Sequence, residues 1–204
     1  MTVCAVESAP LRPEEIEARA TEVLERVPEF VWDGESLPVP VEDIVDSCYR
    51  LLVRDVDDMT TAPVPGGLSP EAGWISGLLL PTHGEIWVNA EDARRWPPRR
   101  RFTICHELGH WELHLTGQQT LFCRAGYVDP DEQPEGAPDP REDRPPAEEE
   151  ADVFAAAMLM PMHLVRRHRA ECGDDLAELC RRFESSEKAM RRRLGLPPMP
   201  AMRP

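Results

Sequence analysis

The segment FTICHELGHWELH, residues 102–114, carries histidines at 106 and 110 with a glutamate at 107. Residues four apart on an α-helix lie one turn up and about 40° round, so the imidazoles of His106 and His110 would face the same way and could grip one ion. Glu107, about 100° round from His106, would stand beside that ion rather than beneath it. Neutral imidazoles suit zinc, and a carboxylate next to a metal-activated water can take its proton. The H-E-x-x-H spacing therefore points to metal-assisted hydrolysis, with Glu107 as the base. Such a site needs a third protein ligand. His114 is the nearest candidate and fails on distance: eight residues of helix separate it from His106 by about 12 Å along the axis, whereas zinc ligands lie about 2 Å from the metal. The metzincin spacing, with a glycine and a histidine shortly downstream, is absent.

The third ligand is expected from the acidic run EEEADVF, residues 148–154. Glu148 and Asp152, four apart, would share one helix face. Glu148 is read as the ligand and Asp152 as the acceptor for the outer N–H of a ligating histidine. Glu149 and Glu150 compete for the ligand role, and acids in a first helical turn are also stabilised simply by the helix dipole. Ala155, Ala156 and Ala157 are small enough to let this helix approach the first one closely.

Other elements must hold these residues in place. Ile16, Ala20, Val23, Leu24 and Val27 recur at helical spacing, and a second helix is expected after Pro40 with Ile44, Val45 and Cys48 turned inward. YRLLVRDV reads as a strand, and WISGLLL and EIWVN as two more joined by a PTHG turn that contains a solvated His83. The edge of either of the latter two could hold a peptide as an added strand. The H-E-x-x-H helix begins at the prolines of WPPRRR, and the helix after EEE ends at Pro161. Between them, residues 127–147 are rich in acids and prolines and have no apolar period, which predicts a mobile loop. Helices are expected around 162–171, 174–183 and 185–194.

The fold class predicted is α+β: a small sheet of about three strands packed on the H-E-x-x-H helix, followed by a C-terminal helical bundle. At 204 residues one domain is the default, here 1–170, with 171–204 as a helical extension on the same core. The net charge of −15 argues against a general polyanion binder. The absence of a long apolar run or a signal-like start predicts a cytoplasmic protein with no membrane partner. Six cysteines without CxxC spacing are expected to be reduced.

The blocks RRRFTICHELGHWELH, EEEADVFAAAMLMP and LAELCRRFESSEKAMRRRLGL, with the preceding GEIWVN, resemble the ImmA/IrrE family of zinc metallopeptidases over about residues 38–196. The resemblance implies a zincin-like, thermolysin-type fold with one zinc on His106, His110 and Glu148 and with Glu107 as catalytic base. It further implies cleavage of helix-turn-helix repressors in the cytoplasm, relieving repression of mobile-element or stress genes. Asp152 stands where the family usually has asparagine, Cys105 where alanine is common, and the acidic insert is longer than usual.

Several further readings accompany these. His114, Tyr127 and His163 are candidates for stabilising a developing oxyanion, and Cys123 for a redox-sensitive block of the metal. The arginines 181, 182, 191, 192 and 193 could contact phosphates if the C-terminal helices formed a DNA-binding unit and the metal were only structural. Direct nucleic-acid binding is not expected, because no base-reading side chains accompany them. A metal-bound but non-proteolytic antagonist of a repressor is the third possibility.

Overall fold

The computed structural model describes residues 10–57, 59, 75–114, 122–125 and 145–197, with Ile75 and residues 122–125 as backbone only. Helix α1 (Pro13–Glu25) buries Ile16, Ala20, Val23 and Leu24, four of the residues whose spacing predicted it. Helix α2 (Val41–Tyr49) buries Val41, Ile44 and Val45 and ends at Arg50 in the left-handed region. Cys48, expected inward, is exposed. Tyr49 takes the packing position of that last turn instead.

The sheet has four strands: β1 (Leu52–Val56), β2 (Ile75–Leu80), β3 (Glu85–Asn89) and β4 (Phe122–Ala125), in the order β1-β3-β2-β4. The predicted hairpin is present: β2 and β3 pair antiparallel through a short 3-10 turn at Pro81–His83 that closes on Gly84. β3 pairs parallel with β1, and β2 antiparallel with β4. The fourth strand is an addition to the three expected, because LFCRA is too short to show a period of its own. β2 and β3 are both internal, so neither offers the free edge expected for an added peptide strand; among the described residues the edges are β1 and β4.

Asn89 ends β3 and caps α3 (Ala90–Arg95), its side chain accepting from the N–H groups of Glu91 and Asp92. Helix α4 (Pro97–His114) follows, starting at the two prolines as predicted. It lies between the sheet, at β2 and β3, and helix α5 (Pro146–Leu159), its most extensive neighbour. Residues 103–110 of α4 are all buried. A helix enclosed on every side is normally apolar throughout. Here His106, Glu107 and His110 sit at that centre with no solvent exposure.

The C-terminal helices are α6 (Met162–Cys172), α7 (Leu176–Phe183) and α8 (Glu187–Arg193), the last two capped by Asp175 and Ser186. Leu179, Phe183 and Met190 belong to the same buried cluster as Ile16, Ile104 and Phe154. Arg193 reaches Glu17 of α1 and donates to the Met160 carbonyl at 2.9 Å. The acidic stretch expected over 127–147 lies outside the described residues up to 144, and α5 begins inside its predicted end, at Pro146. No helix among the described residues is long and apolar enough to cross a membrane. The four described cysteines, Cys48, Cys105, Cys172 and Cys180, are free thiols.

Glu112, near the end of α4, gathers the helical layer. Arg19 of α1 lies 2.6 Å from its carboxylate, and Tyr49 of α2 bonds to it. Burial, reinforced by the bond to Glu112, pushes the Tyr49 phenol well above its ordinary value of 10.0. An acid group raised on folding contributes stability fully present below its unfolded value and lost as pH rises through the folded one. The chain has two tyrosines, so Tyr127→Phe leaves Tyr49 as the sole phenol. Absorbance at 295 nm in that variant is expected to stay flat through pH 10 and to rise only together with loss of helical circular dichroism. A free titration near pH 10 would contradict this.

Candidate metal centre

Each site residue is brought in by a helix packed for other reasons. In α4, the turn between 106 and 110 stacks the two imidazoles, with ring centroids 4.7 Å apart and planes at 80°. Gly109 lets α5 come close: a Cβ there would lie 3.1 Å from the Ala151 Cα and 3.2 Å from Phe154. Gly109 against Ala151 makes such a close approach one turn before Ala155, which is itself fully buried. That approach carries Glu148, one turn before Ala151, onto the histidine pair.

The Nε2 atoms of His106 and His110 are 3.1 Å apart; Glu148 Oε2 lies 3.2 Å from the first and Glu148 Oε1 3.2 Å from the second. These three side chains could hold a metal ion. A tetrahedral zinc with bonds of about 2.0–2.1 Å has ligand atoms about 3.3 Å apart, close to these neighbouring separations. The donor chemistry fits as well. Burial lowers the His110 imidazole below its ordinary value, against the pull of Glu148, which favours the neutral form that a ligand must take. Burial pushes the Glu148 carboxyl up, but the two facing imidazoles outweigh it and hold the group below the ordinary carboxylate range.

The outer nitrogens are also engaged. His106 Nδ1 lies 2.9 Å from Asp152 Oδ1, as the i, i+4 spacing of Glu148 and Asp152 predicted. His110 Nδ1 lies 3.0 Å from His114 Nδ1, and His114 Nε2 lies 2.8 Å from Glu150 Oε2. His114 thus packs behind a ligand, and Glu150, a competitor for the ligand role, is turned toward His114. Glu149, the other competitor, is exposed.

Glu107 is fully buried between α4 and the sheet. Its fit depends on Gly77 of β2, where a Cβ would meet Glu107 Oε1 at 2.7 Å and Thr103 Cγ2 at 2.3 Å. The neighbouring Ser76 donates to buried Asp92 at 3.0 Å, and Arg99 of α4 lies 3.2 Å from the other oxygen of Asp92. That link clamps β2 to the start of α4. Sequence reasoning passed over Gly77, although glycine inside a strand often marks a close approach.

The remaining candidates disperse. His163 and His83 are exposed. Tyr127 lies outside the described residues, and Cys123 is known only as backbone, paired with Leu78 in β4. Arg181, Arg182, Arg191 and Arg193 all bond to acids of the chain itself: Glu178, Glu171, Glu187 and Glu17.

Among solved structures, a Mycobacterium tuberculosis transcriptional regulator aligns with 94% of this chain at 17% identity and a TM-score of 0.47, and the chain spans 48% of that protein's length. No curated protein matches the chain. A family model described as Peptidase_M78, IrrE N-terminal-like domain, matches residues 70–195, from just before β2 to the end of α8. That match takes in more than half of the sequence and every residue of the His106–His110–Glu148 centre, and the chain belongs to this family of metallopeptidase-like proteins, the group that includes ImmA and IrrE.

Proposed function

We propose that this chain is a zinc-dependent endopeptidase of zincin-like fold that acts in the cytoplasm and cleaves a helix-turn-helix transcriptional repressor, relieving repression of mobile-element or stress-response genes. The observation that carries the proposal is the convergence of His106 Nε2, His110 Nε2 and the two carboxylate oxygens of Glu148, with neighbouring nitrogens and oxygens 3.1–3.2 Å apart and buried Glu107 next to His106 on the same helix. His106, His110 and Glu148 would hold one zinc, which when bound supplies a Lewis acid that polarises a carbonyl and lowers the pKa of water. Glu107 takes the proton from the attacking water at a carboxylate oxygen and delivers it to the leaving amine. Asp152 holds His106 in the tautomer that bares Nε2.

Gly77 sets where the Glu107 carboxylate can stand. Gly77→Ala forces β2 or Glu107 to move, and misplacement by about 1 Å can cost roughly 10²-fold in rate. A loss of about 10- to 100-fold in kcat, with zinc affinity within a few-fold of wild type, is therefore expected. Unchanged kcat would show that Glu107 is not held from the β2 side.

The DNA-binding alternative draws on the C-terminal arginines, and four of those five are engaged within the chain. The test is incubation of the zinc-loaded chain with the helix-turn-helix protein encoded beside its gene, followed by intact-mass analysis. Two fragments that sum to the repressor plus one water, and that disappear with a chelator, are expected. An intact repressor that stays bound to the zinc-loaded chain would refute cleavage and favour sequestration.

A further inference from the structure

The two histidines of the centre are supported differently. His106 meets a carboxylate directly, Asp152 at 2.9 Å. Behind His110 runs a longer chain: His110 Nδ1 to His114 Nδ1 at 3.0 Å, His114 Nε2 to Glu150 Oε2 at 2.8 Å, and the Leu11 backbone N–H to Glu150 Oε1 at 2.8 Å. The members are enclosed, His110 at 0% exposure and the side chains of His114 and Glu150 at 14% and 11%. The links fix where the hydrogens sit. Glu150 already accepts from Leu11 and as a carboxylate can only accept from His114, so His114 carries its hydrogen on Nε2. In that tautomer His114 has a lone pair at Nδ1, which accepts the hydrogen that His110 Nδ1 donates across the 3.0 Å contact. His110 Nε2 is left bare, facing Glu148 and His106 Nε2.

From this geometry we infer that His114 and Glu150 are positioning residues of the metal centre: through His110 Nδ1 they set the ring orientation and the tautomer that let His110 Nε2 bind zinc. The inference rests on the assignment of His106, His110 and Glu148 as the ligand set. It makes the centre asymmetric, one imidazole steadied by a single carboxylate and the other by a histidine–glutamate pair tied to the segment that enters α1. His114, read from its distance along the helix as no ligand, lies one turn beyond His110, and that place suits it to this second task.

The test measures zinc affinity of the metal-free full chain by competition with a chromophoric chelator, and the visible spectrum of the cobalt-loaded chain. Outer partners of zinc-bound histidines are typically worth 10- to 100-fold in affinity, so His114→Ala and His114→Gln are expected to lose about that much. An asparagine places its Oδ1 near the position of the histidine Nδ1, where it can accept from His110. His114→Asn is therefore expected to recover most of the affinity and the wild-type cobalt spectrum, which a merely space-filling role would not distinguish from His114→Gln. Glu150→Gln is expected to weaken zinc, and Glu149→Ala to leave it unchanged.

Zinc affinity of His114→Ala within twofold of wild type overturns the inference. If that variant does not fold, equal affinities for the Asn and Gln variants overturn it instead. A wild-type chain that binds zinc but cuts no repressor, with the Asn–Gln contrast intact, supports the positioning role and refutes only the peptidase proposal.

Discussion

Glu107→Gln is expected to lower peptide hydrolysis by about 10²- to 10⁴-fold, the usual contribution of a positioned acid–base group, while the chain still takes up zinc. Glutamine has nearly the shape of glutamate, so it fits the space between Thr103 and Gly77 that a Cβ on Gly77 would invade. What it lacks is an oxygen basic enough to take a proton from water. Glu107 is not among the three side chains whose donor atoms converge, so zinc affinity should stay within a few-fold. Nor should stability fall, because glutamine keeps the volume and the polar end of glutamate in that buried space. The measurement is kcat/KM on a fluorogenic peptide from the repressor, with metal content and Tm determined on the same sample. Comparable rates for the two proteins would remove Glu107 from the proton transfer.

The second large effect concerns the metal. A ligand present at 100 times its Kd stabilises the folded chain by about 2.7 kcal/mol. In a chain of this size 1 kcal/mol moves Tm by roughly 2–4 °C, so saturating zinc is expected to raise Tm by about 5–10 °C. Glu148→Gln removes the only carboxylate of the His106–His110–Glu148 group and should abolish most of that rise; Glu149→Ala, on the exposed side of the same turn, should keep it. A zinc-dependent rise that survives Glu148→Gln would mean that the ion sits elsewhere. The same pair of variants separates the neighbouring glutamates that the sequence left in competition.

Much of this centre was legible because helical geometry is rigid. Four-residue spacings placed His106 with His110 and Glu148 with Asp152, and the 12 Å rise excluded His114 before any fold was known. The hairpin of β2 and β3 was similarly readable, because two apolar runs flanked a proline–glycine turn. What stayed hidden depended on contacts between elements distant in sequence. The strand order that buries both β2 and β3 arises from pairing with β1 and β4. Gly77 against Glu107 and Gly109 against Ala151 are close approaches that a glycine permits but does not announce. Helix α3, six residues long, is too short for a period, although Asn89 followed by two acids is a helix-start pattern that could have revealed it. Cys48 shows the opposite failure: its spacing matched the buried face, but periodicity does not tell how far the core extends beneath the last turn.

The packing of α4 on α5 at Gly109 and Ala151 also bears on how such a protein can diverge. The histidines and Glu148 meet because two helix faces fit, although 31 residues of sequence, 115–145, separate α4 from α5. Doubling a flexible connection costs about 0.6 kcal/mol in closure entropy, far less than losing a ligand. A change in the length of sequence between two such helices is therefore a small entropic term beside the fit of their faces. The metal centre is set by where α4 and α5 touch rather than by the sequence that separates them.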